Sequence, residues 1–223
     1  MARYVLRLCE DRCAPGVRTD PLPPCPRVLY VREGHITLTS GGNKQEIETN
    51  QAWFGTEDCT YAGGLGGATV LRYELVPEPA PPAAAGDRPE EAATRLLLAQ
   101  PVELDPAQAW LIRCDRVDFA PGAVAPPHGH RGGGIRCLIA GELRVQVGEQ
   151  PARVMRPGDA WYESGREPVR ADASPTEPTS FIRVAILPAE IRGQSSIWYV
   201  DPAAARVTPR QYTVFVDEPI ALP

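Results

Sequence analysis

Short apolar runs separated by turn residues make up most of the chain. Runs rich in Val, Ile, Leu and Tyr alternate with Gly, Pro and Asp at a spacing of roughly 8–12 residues. Two such runs, 69–77 and 180–188, each end at a proline, and two more, 196–200 and 211–216, follow near the C-terminus. This spacing is typical of an antiparallel sandwich or barrel rather than of alternating strands and helices. We therefore predict an all-β protein.

The sequence also contains an internal repeat. Three landmarks occur twice in the same order: an Ala-Pro-Gly triplet at 14–16 and 120–122, a glycine at Gly34 and Gly141, and an Ala-Trp pair at 52–53 and 160–161. The landmarks keep their spacing to within one residue in the two copies. The pattern predicts a duplicated β unit of about 80–95 residues.

The repeat suggests a division of the chain into four parts. We predict a first barrel over residues 1–78, a Pro- and Ala-rich linker over 79–94, a second barrel over 95–190 and a C-terminal arm with two strands over 191–223. An arm of this kind is expected to add to the sheet of the other repeat or of a second subunit. A homodimer is also expected, with the first barrel as a structural or dimerisation partner.

Composition narrows the classes of function. The 223 residues carry a net charge of -5, and the pI of about 5.3 argues against a nucleic-acid or anionic-membrane partner. The N-terminus has no apolar core typical of a secretion signal, and no run approaches about 18 apolar residues. The six cysteines are scattered, which favours reduced thiols and a cytoplasmic protein.

Two of the three histidines form the only obvious chemical motif. His128 and His130 are two residues apart in Pro-Pro-His-Gly-His. On a strand, residues at this spacing point to the same face. Two imidazoles side by side are a natural half-site for a divalent metal ion.

The second repeat resembles the cupin superfamily. The resemblance rests on Gly122, His128, His130 and Gly141, followed by the segment Arg-Pro-Gly-Asp-Ala-Trp-Tyr at 156–162. These residues are similar to the two short cupin motifs. The resemblance implies a double-stranded β-barrel (jelly roll), and the internal repeat extends it to a bicupin with two barrels in one chain.

The same resemblance implies metal ligands at His128 and His130. The position of the usual cupin Glu or Gln is Gly134 here, and the usual third His falls at Pro168 or Val169. Two of the four usual ligands are thus absent.

The first repeat departs further from the pattern. Its positions aligned with the two histidines are Leu22 and Pro24, so a metal site is expected only in the second barrel.

Glu163 is the candidate third ligand. It stands at the start of the turn where the usual third His would follow, and a carboxylate there can reach into the barrel mouth. Two histidines and one carboxylate suit Fe, and Mn, Zn or Ni are alternatives. The competing interpretation is a solvated glutamate in a turn.

Arg136 has the strand parity of Gly134, so its side chain is expected inside the barrel. A buried guanidinium needs an anionic partner. That partner is either a substrate carboxylate, which makes Arg136 a substrate-binding residue, or an internal acid such as Glu163. The three glycines 132–134 leave space beside the histidines for a ligand.

Two functions follow from these residues. The first is a metal-dependent cupin enzyme that acts on a small carboxylate-bearing metabolite in the second barrel, with oxygenase, isomerase and lyase chemistry all open. The alternative is a non-catalytic cupin that binds or senses a small molecule and has lost part of its metal site.

Overall fold

The structure is a computed structural model that describes residues 1–81, 83, 92–206 and 210–223. The described residues form two compact units. The first contains Met1–Ala107 and Ala221–Pro223, and the second contains Gln108–Ile220.

Both units consist of antiparallel strands. The first unit contains β1 (Ala2–Cys13), β2 (Arg27–Ser40), β3 (Asn43–Glu48), β4 (Ala52–Gly55), β5 (Cys59–Pro77) and β6 (Ala92–Leu104). The second unit contains β7 (Trp110–Phe119), β8 (Val124–His130), β9 (Gly134–Ala140), β10 (Leu143–Val147), β11 (Arg153–Met155), β12 (Ala160–Glu163), β13 (Val169–Ala173), β14 (Thr179–Pro188), β15 (Ile197–Tyr199) and β16 (Arg210–Ile220). Two short 3-10 helices, Ala189–Ile191 and Pro202–Arg206, precede the last two strands. The all-β prediction is confirmed.

The second unit is a pair of five-stranded sheets. One has the order β12-β9-β14-β7-β16 and the other the order β11-β10-β13-β8-β15. Alternating residues of both sheets pack into one apolar core, which includes Phe119, Leu138, Trp161 and Phe181. The two histidines stand on β8 at the edge of this core.

The first unit repeats this order with longer strands. Its sheet contains the strand order β4-β2-β5-β1-β6. This order corresponds to β12-β9-β14-β7-β16 in the second unit. The long strands β2 and β5 each correspond to two strands of the second unit. The shared order agrees with the repeat seen in the sequence.

The repeated glycines have a backbone reason. Gly34 and Gly141 both adopt a φ near +73°, at 74° and 72°, and Gly16 and Gly122 do so at 71° and 73°. A side chain is strained in this left-handed conformation. At Gly34 and Gly141 a Cβ would also collide with neighbouring backbone.

The boundary between the two units lies further along the chain than the sequence analysis placed it. Strand β6 was expected to begin the second barrel, but it pairs with β1 from Ala2 opposite Leu104 to Cys13 opposite Ala92. Residues up to Ala107 therefore belong to the first unit. Composition alone does not tell which sheet an apolar run joins. Most of the expected linker, residues 82 and 84–91, lies outside the described residues.

The expected partner of the C-terminal arm is wrong. Its two strands are where the sequence placed them, but β15 pairs with β8 and β16 pairs with β7. Both pairings lie within the second unit, because β7 and β8 each offer an open edge there whose backbone groups need hydrogen bonds. Within the described part of the chain, no helix is long and apolar enough to cross a membrane.

Candidate ligand-binding site

Five strands of the second unit bring charged side chains to the His128–His130 pair. The two imidazole rings are 5.1 Å apart and nearly perpendicular. The charged neighbours are Arg136 on β9, Glu163 on β12, Asp115 on β7, Arg183 on β14 and Arg210 on β16. All seven side chains are buried. A buried charged cluster of this kind is the default candidate for a functional site.

Glu163 is fixed by three partners. Its Oε2 lies 2.7 Å from Arg136 Nη2 and 3.4 Å from His130 Nε2, and the indole N–H of Trp161 donates to its Oε1 over 2.8 Å. Burial alone would raise the pKa of Glu163, but Arg136, His130 and Trp161 together lower it well below its usual range. The carboxylate is therefore ionised at neutral pH.

Both histidines are neutral. Burial is the main cause that lowers the pKa of His128 to about 4 and that of His130 to about 3, and nearby arginines contribute to both shifts. A neutral imidazole has one N–H and one lone pair, so its neighbours decide which nitrogen carries the proton.

The contacts of His128 define its tautomer. Its Nδ1 lies 2.7 Å from the carbonyl oxygen of Pro126, which only accepts, so Nδ1 carries the proton. The lone pair on Nε2 faces Nη1 of Arg210 at 3.5 Å.

The contacts of His130 define the opposite tautomer. Its Nδ1 faces Nη1 of Arg183 at 3.3 Å, and a guanidinium only donates, so Nδ1 carries the lone pair. The N–H on Nε2 then points to Glu163 at 3.4 Å. In both rings the lone pair therefore accepts from an arginine.

Arg183 and Arg210 differ in how well they are paired. Arg183 makes two hydrogen bonds to Asp115, with Nε donating to Oδ1 over 3.0 Å and Nη2 donating to Oδ2. Arg210 donates from Nη2 to the hydroxyl of Tyr199 over 2.8 Å and faces His128. Its Nε is buried and has no hydrogen-bond partner among the described residues.

The structure answers several points left open by the sequence. Arg136 is interior and paired with Glu163, as in the ion-pair interpretation. Glu163 is 5% exposed, so the interpretation as a solvated turn residue is wrong. Glu163 on β12 pairs with Gly134 on β9. The cupin pattern has its Glu or Gln at the position of Gly134, so here the opposite strand supplies the carboxylate. Val169 pairs with His128 and puts an apolar side chain where the third His is expected.

The arrangement does not fit a divalent cation. A metal ion needs imidazole lone pairs that point at a common centre, and here both lone pairs face guanidinium groups. Three arginines surround two carboxylates, so the cluster already has an excess of positive charge. Across 1–81, 83, 92–206 and 210–223, no three or more His, Cys, Asp and Glu side chains are grouped to hold a metal ion.

Sequence reasoning missed Asp115, Arg183 and Arg210. The sequence did contain a signal for Asp115 and Arg183, because each is a charged residue at an inward position of an apolar strand. The same alternation of side chains predicted that Arg136 lies inside. Arg183 pairs directly with Asp115 across β14 and β7. Arg210 was unpredictable because the arm was expected to pair elsewhere. Trp161, expected as core packing, is buried in the core and also holds Glu163.

The fold and the site define a two-sheet β-barrel with a histidine pair and an arginine cluster in its interior. Residues 115–185 match the model of the cupin domain family, Cupin_2. The cupin family is therefore shown for this segment of the second unit. A comparison with curated proteins gave no match.

Solved structures share the fold over most of the chain. AerE from Microcystis aeruginosa is 13% identical, with a TM-score of 0.58 over 84% of this chain and 88% of AerE. The 11S allergen of Cocos nucifera is 11% identical, with a TM-score of 0.61 over 92% of this chain and 85% of the allergen. A mutant of Bacillus subtilis oxalate decarboxylase is 14% identical, with a TM-score of 0.61 over 91% of this chain and 73% of that enzyme. Identities this low show the shared fold alone.

Proposed function

We propose that the second unit binds a small carboxylate-bearing metabolite at Arg210, beside His128 and His130. The observation that carries the proposal is the buried Nε of Arg210, which has no partner among the described residues. A buried donor without an acceptor costs roughly 1–3 kcal/mol. An anionic ligand that accepts from Arg210 removes this cost.

The charge of the site favours an anion. Arg136 and Arg183 are each balanced by a carboxylate, Glu163 and Asp115, whereas the partners of Arg210 within the described residues are the neutral Tyr199 and His128. A guanidinium presents parallel N–H groups that match the two oxygens of a carboxylate. This supports the small-molecule-binding alternative of the sequence analysis, with Arg136 as a structural partner of Glu163 rather than the primary ligand contact.

The metal-dependent enzyme is the second candidate function. It places Fe, Mn, Zn or Ni at His128, His130 and Glu163, and the 3.4 Å between His130 Nε2 and Glu163 Oε2 favours it. Cupins such as oxalate decarboxylase commonly bind divalent metals. This candidate requires that Arg210 leaves His128 Nε2, that His130 moves its proton to Nδ1 and that Arg183 leaves this nitrogen. Its chemistry would be that of an oxygenase, isomerase or lyase.

Titration calorimetry with acetate and benzoate tests the binding proposal. We expect the Arg210→Met variant to bind the carboxylate that binds wild type about 10- to 100-fold more weakly, because a charge-assisted hydrogen bond contributes roughly 1.5–3 kcal/mol. The exposed Arg144→Met variant is the matched control and should bind like wild type. Acetamide and benzamide, which lack the charge, should bind weakly to all three proteins.

Metal analysis separates the two candidates. The protein is purified without added metal, then reconstituted with Fe, Mn, Zn or Ni, next to a His128→Ala variant. The binding proposal expects no stoichiometric metal in either protein. One metal ion per chain that is lost in His128→Ala would overturn the proposal in favour of the metalloenzyme.

We also propose a reducing, cytoplasmic location and a homodimer. All six cysteines are free and buried, which suits a reducing compartment. Light scattering coupled to size-exclusion chromatography measures the oligomeric state, and a mass of one chain would contradict the dimer.

A further inference from the structure

The interior site is too small for a whole metabolite. The free space beside His128, His130 and Arg210 is about 20 Å³, which is room for a single water molecule. A ligand that reaches Arg210 must therefore extend into a neighbouring space.

Such a space adjoins the site within the second unit. A cavity of about 370 Å³ borders it, and Arg183 and Tyr212 line both. The Tyr212 ring lies at the junction, with its centroid 5.8 Å from the guanidinium carbon of Arg210 and 6.0 Å from that of Arg183. A volume of this size is typical of a site for one small organic molecule.

The charged groups that line the cavity are paired with each other. Arg113 donates from Nε to Asp217 over 2.8 Å and from Nη1 to the Gln194 carbonyl over 2.7 Å. Arg183 is paired with Asp115. A second charge on the ligand would find no free counter-ion among these residues, and its desolvation would go uncompensated.

Gln194, Ser195 and Ser196 form a polar part of the remaining wall, and another part is apolar and faces solvent. Val214 is 55% exposed and Tyr212 is 42% exposed, and Ile197 lines the same cavity. Apolar surface covered by a ligand is removed from water, which stabilises the complex in proportion to the area covered. The aromatic face of Tyr212 is a platform for a flat ring.

We infer that the ligand is a monocarboxylate with an uncharged, apolar body, preferably an aromatic ring. Its carboxylate meets Arg210, and its body lies in the cavity against Tyr212, Val214 and Ile197. This inference rests on the proposed function and adds the class of ligand. Val214 becomes a specificity-determining residue on the C-terminal strand.

Calorimetry with three probes tests the class. Benzoate should bind wild type at least about tenfold more tightly than acetate, because only benzoate fills the cavity, and about 50 Å² of buried ring surface accounts for that ratio. Succinate, which adds a second charge instead of an apolar body, should bind no more tightly than acetate.

Substitution of Val214 tests the location. Val214→Trp fills the cavity and should weaken benzoate at least about tenfold while it changes acetate by less than about twofold. Val154→Trp, at an exposed valine on β11 outside the cavity, is the matched control and should leave both affinities unchanged. Val214→Asp is a second variant, in which the added carboxylate should repel benzoate. Thermal unfolding of each variant shows that it is folded.

The outcomes separate this inference from the proposed function. If neither acetate nor benzoate binds wild type, the proposed function fails. If both bind with equal affinity, or if Val214→Trp weakens acetate and benzoate equally, the cavity does not hold the ligand body. The inference is then overturned while the arginine site stands.

Discussion

Glu163 connects three other side chains of the site. It pairs with Arg136, accepts from Trp161 and faces His130, so it fixes one guanidinium and the tautomer of one imidazole at once. Glu163 does this from β12, where it pairs with Gly134 on β9.

Glu163→Gln tests this role. The variant keeps the shape but leaves Arg136 as a buried cation without its carboxylate, which costs about 3–5 kcal/mol when a buried pair is broken. We expect the free energy of unfolding, measured by chemical denaturation, to fall by that amount.

The control for Glu163→Gln is the same change at an exposed position. Glu177→Gln lies on the surface of the same unit and should change stability by less than about 0.5 kcal/mol. Equal effects of the two substitutions would show that the Arg136 pair contributes nothing.

At the scale of the element, the strand that follows each repeat has the same position in its sheet. β6 pairs with β1 in the first unit, and β16 pairs with β7 in the second. In the second unit this strand also supplies Arg210, Tyr212 and Val214. The segment that completes the sheet thus also completes the candidate site.

The turns between strands depend on glycine at matching positions. Gly141→Ala should destabilise the protein by more than about 1 kcal/mol, because its φ of 72° strains an L-residue and the Cβ meets backbone of Pro178 and Thr179. Gly66→Ala, at a glycine without positive φ and with open space around its Cβ, should be close to neutral. Thermal denaturation compares them, and an equal loss in both would contradict the backbone argument.

At the scale of the whole molecule, two units with one strand order carry different buried charges. In the first unit Glu74 is surrounded by three arginines: its Oε2 lies 2.7 Å from Arg7 and 2.8 Å from Arg72, and its Oε1 lies 2.7 Å from Arg27. Here the arginines share a fixed internal carboxylate. In the second unit Arg210 has no such partner in the part of the chain that the structure describes.

The Glu74 cluster predicts acid sensitivity. Burial raises the pKa of Glu74, but Arg72, Arg27 and Arg7 outweigh it and lower the pKa from 4.5 to about 2. Between these values the unfolded chain binds more protons than the folded chain. The contribution of Glu74 to the free energy of unfolding is therefore complete above about pH 4.5 and is lost as the pH falls toward 2. The loss amounts to roughly 3 kcal/mol.

Denaturation at pH 6 and pH 3 measures the effect. Glu74→Gln should be less stable at pH 6 and should lose less stability than wild type on acidification. The exposed Glu57→Gln variant should follow wild type at both values. If Glu74→Gln loses as much as wild type, another group causes the acid sensitivity.

The sequence by itself determined the all-β class, the duplication and the interior position of Arg136. These follow from local rules: the spacing of apolar runs, glycines at positions that need positive φ, and the alternation of side chains along a strand. The resemblance to cupins, carried by His128, His130 and the second motif, also came from the sequence alone.

Only the tertiary structure decided the partner of each strand and the character of the site. The final strand gives no local signal of which sheet edge it joins, because any open edge offers the same backbone hydrogen bonds. Its pairing with β7 brings Arg210 to His128, and β14 brings Arg183 to His130. These contacts join residues more than 50 positions apart. They set the charge of the site and the direction of its lone pairs, which depend on neighbours in space rather than in sequence.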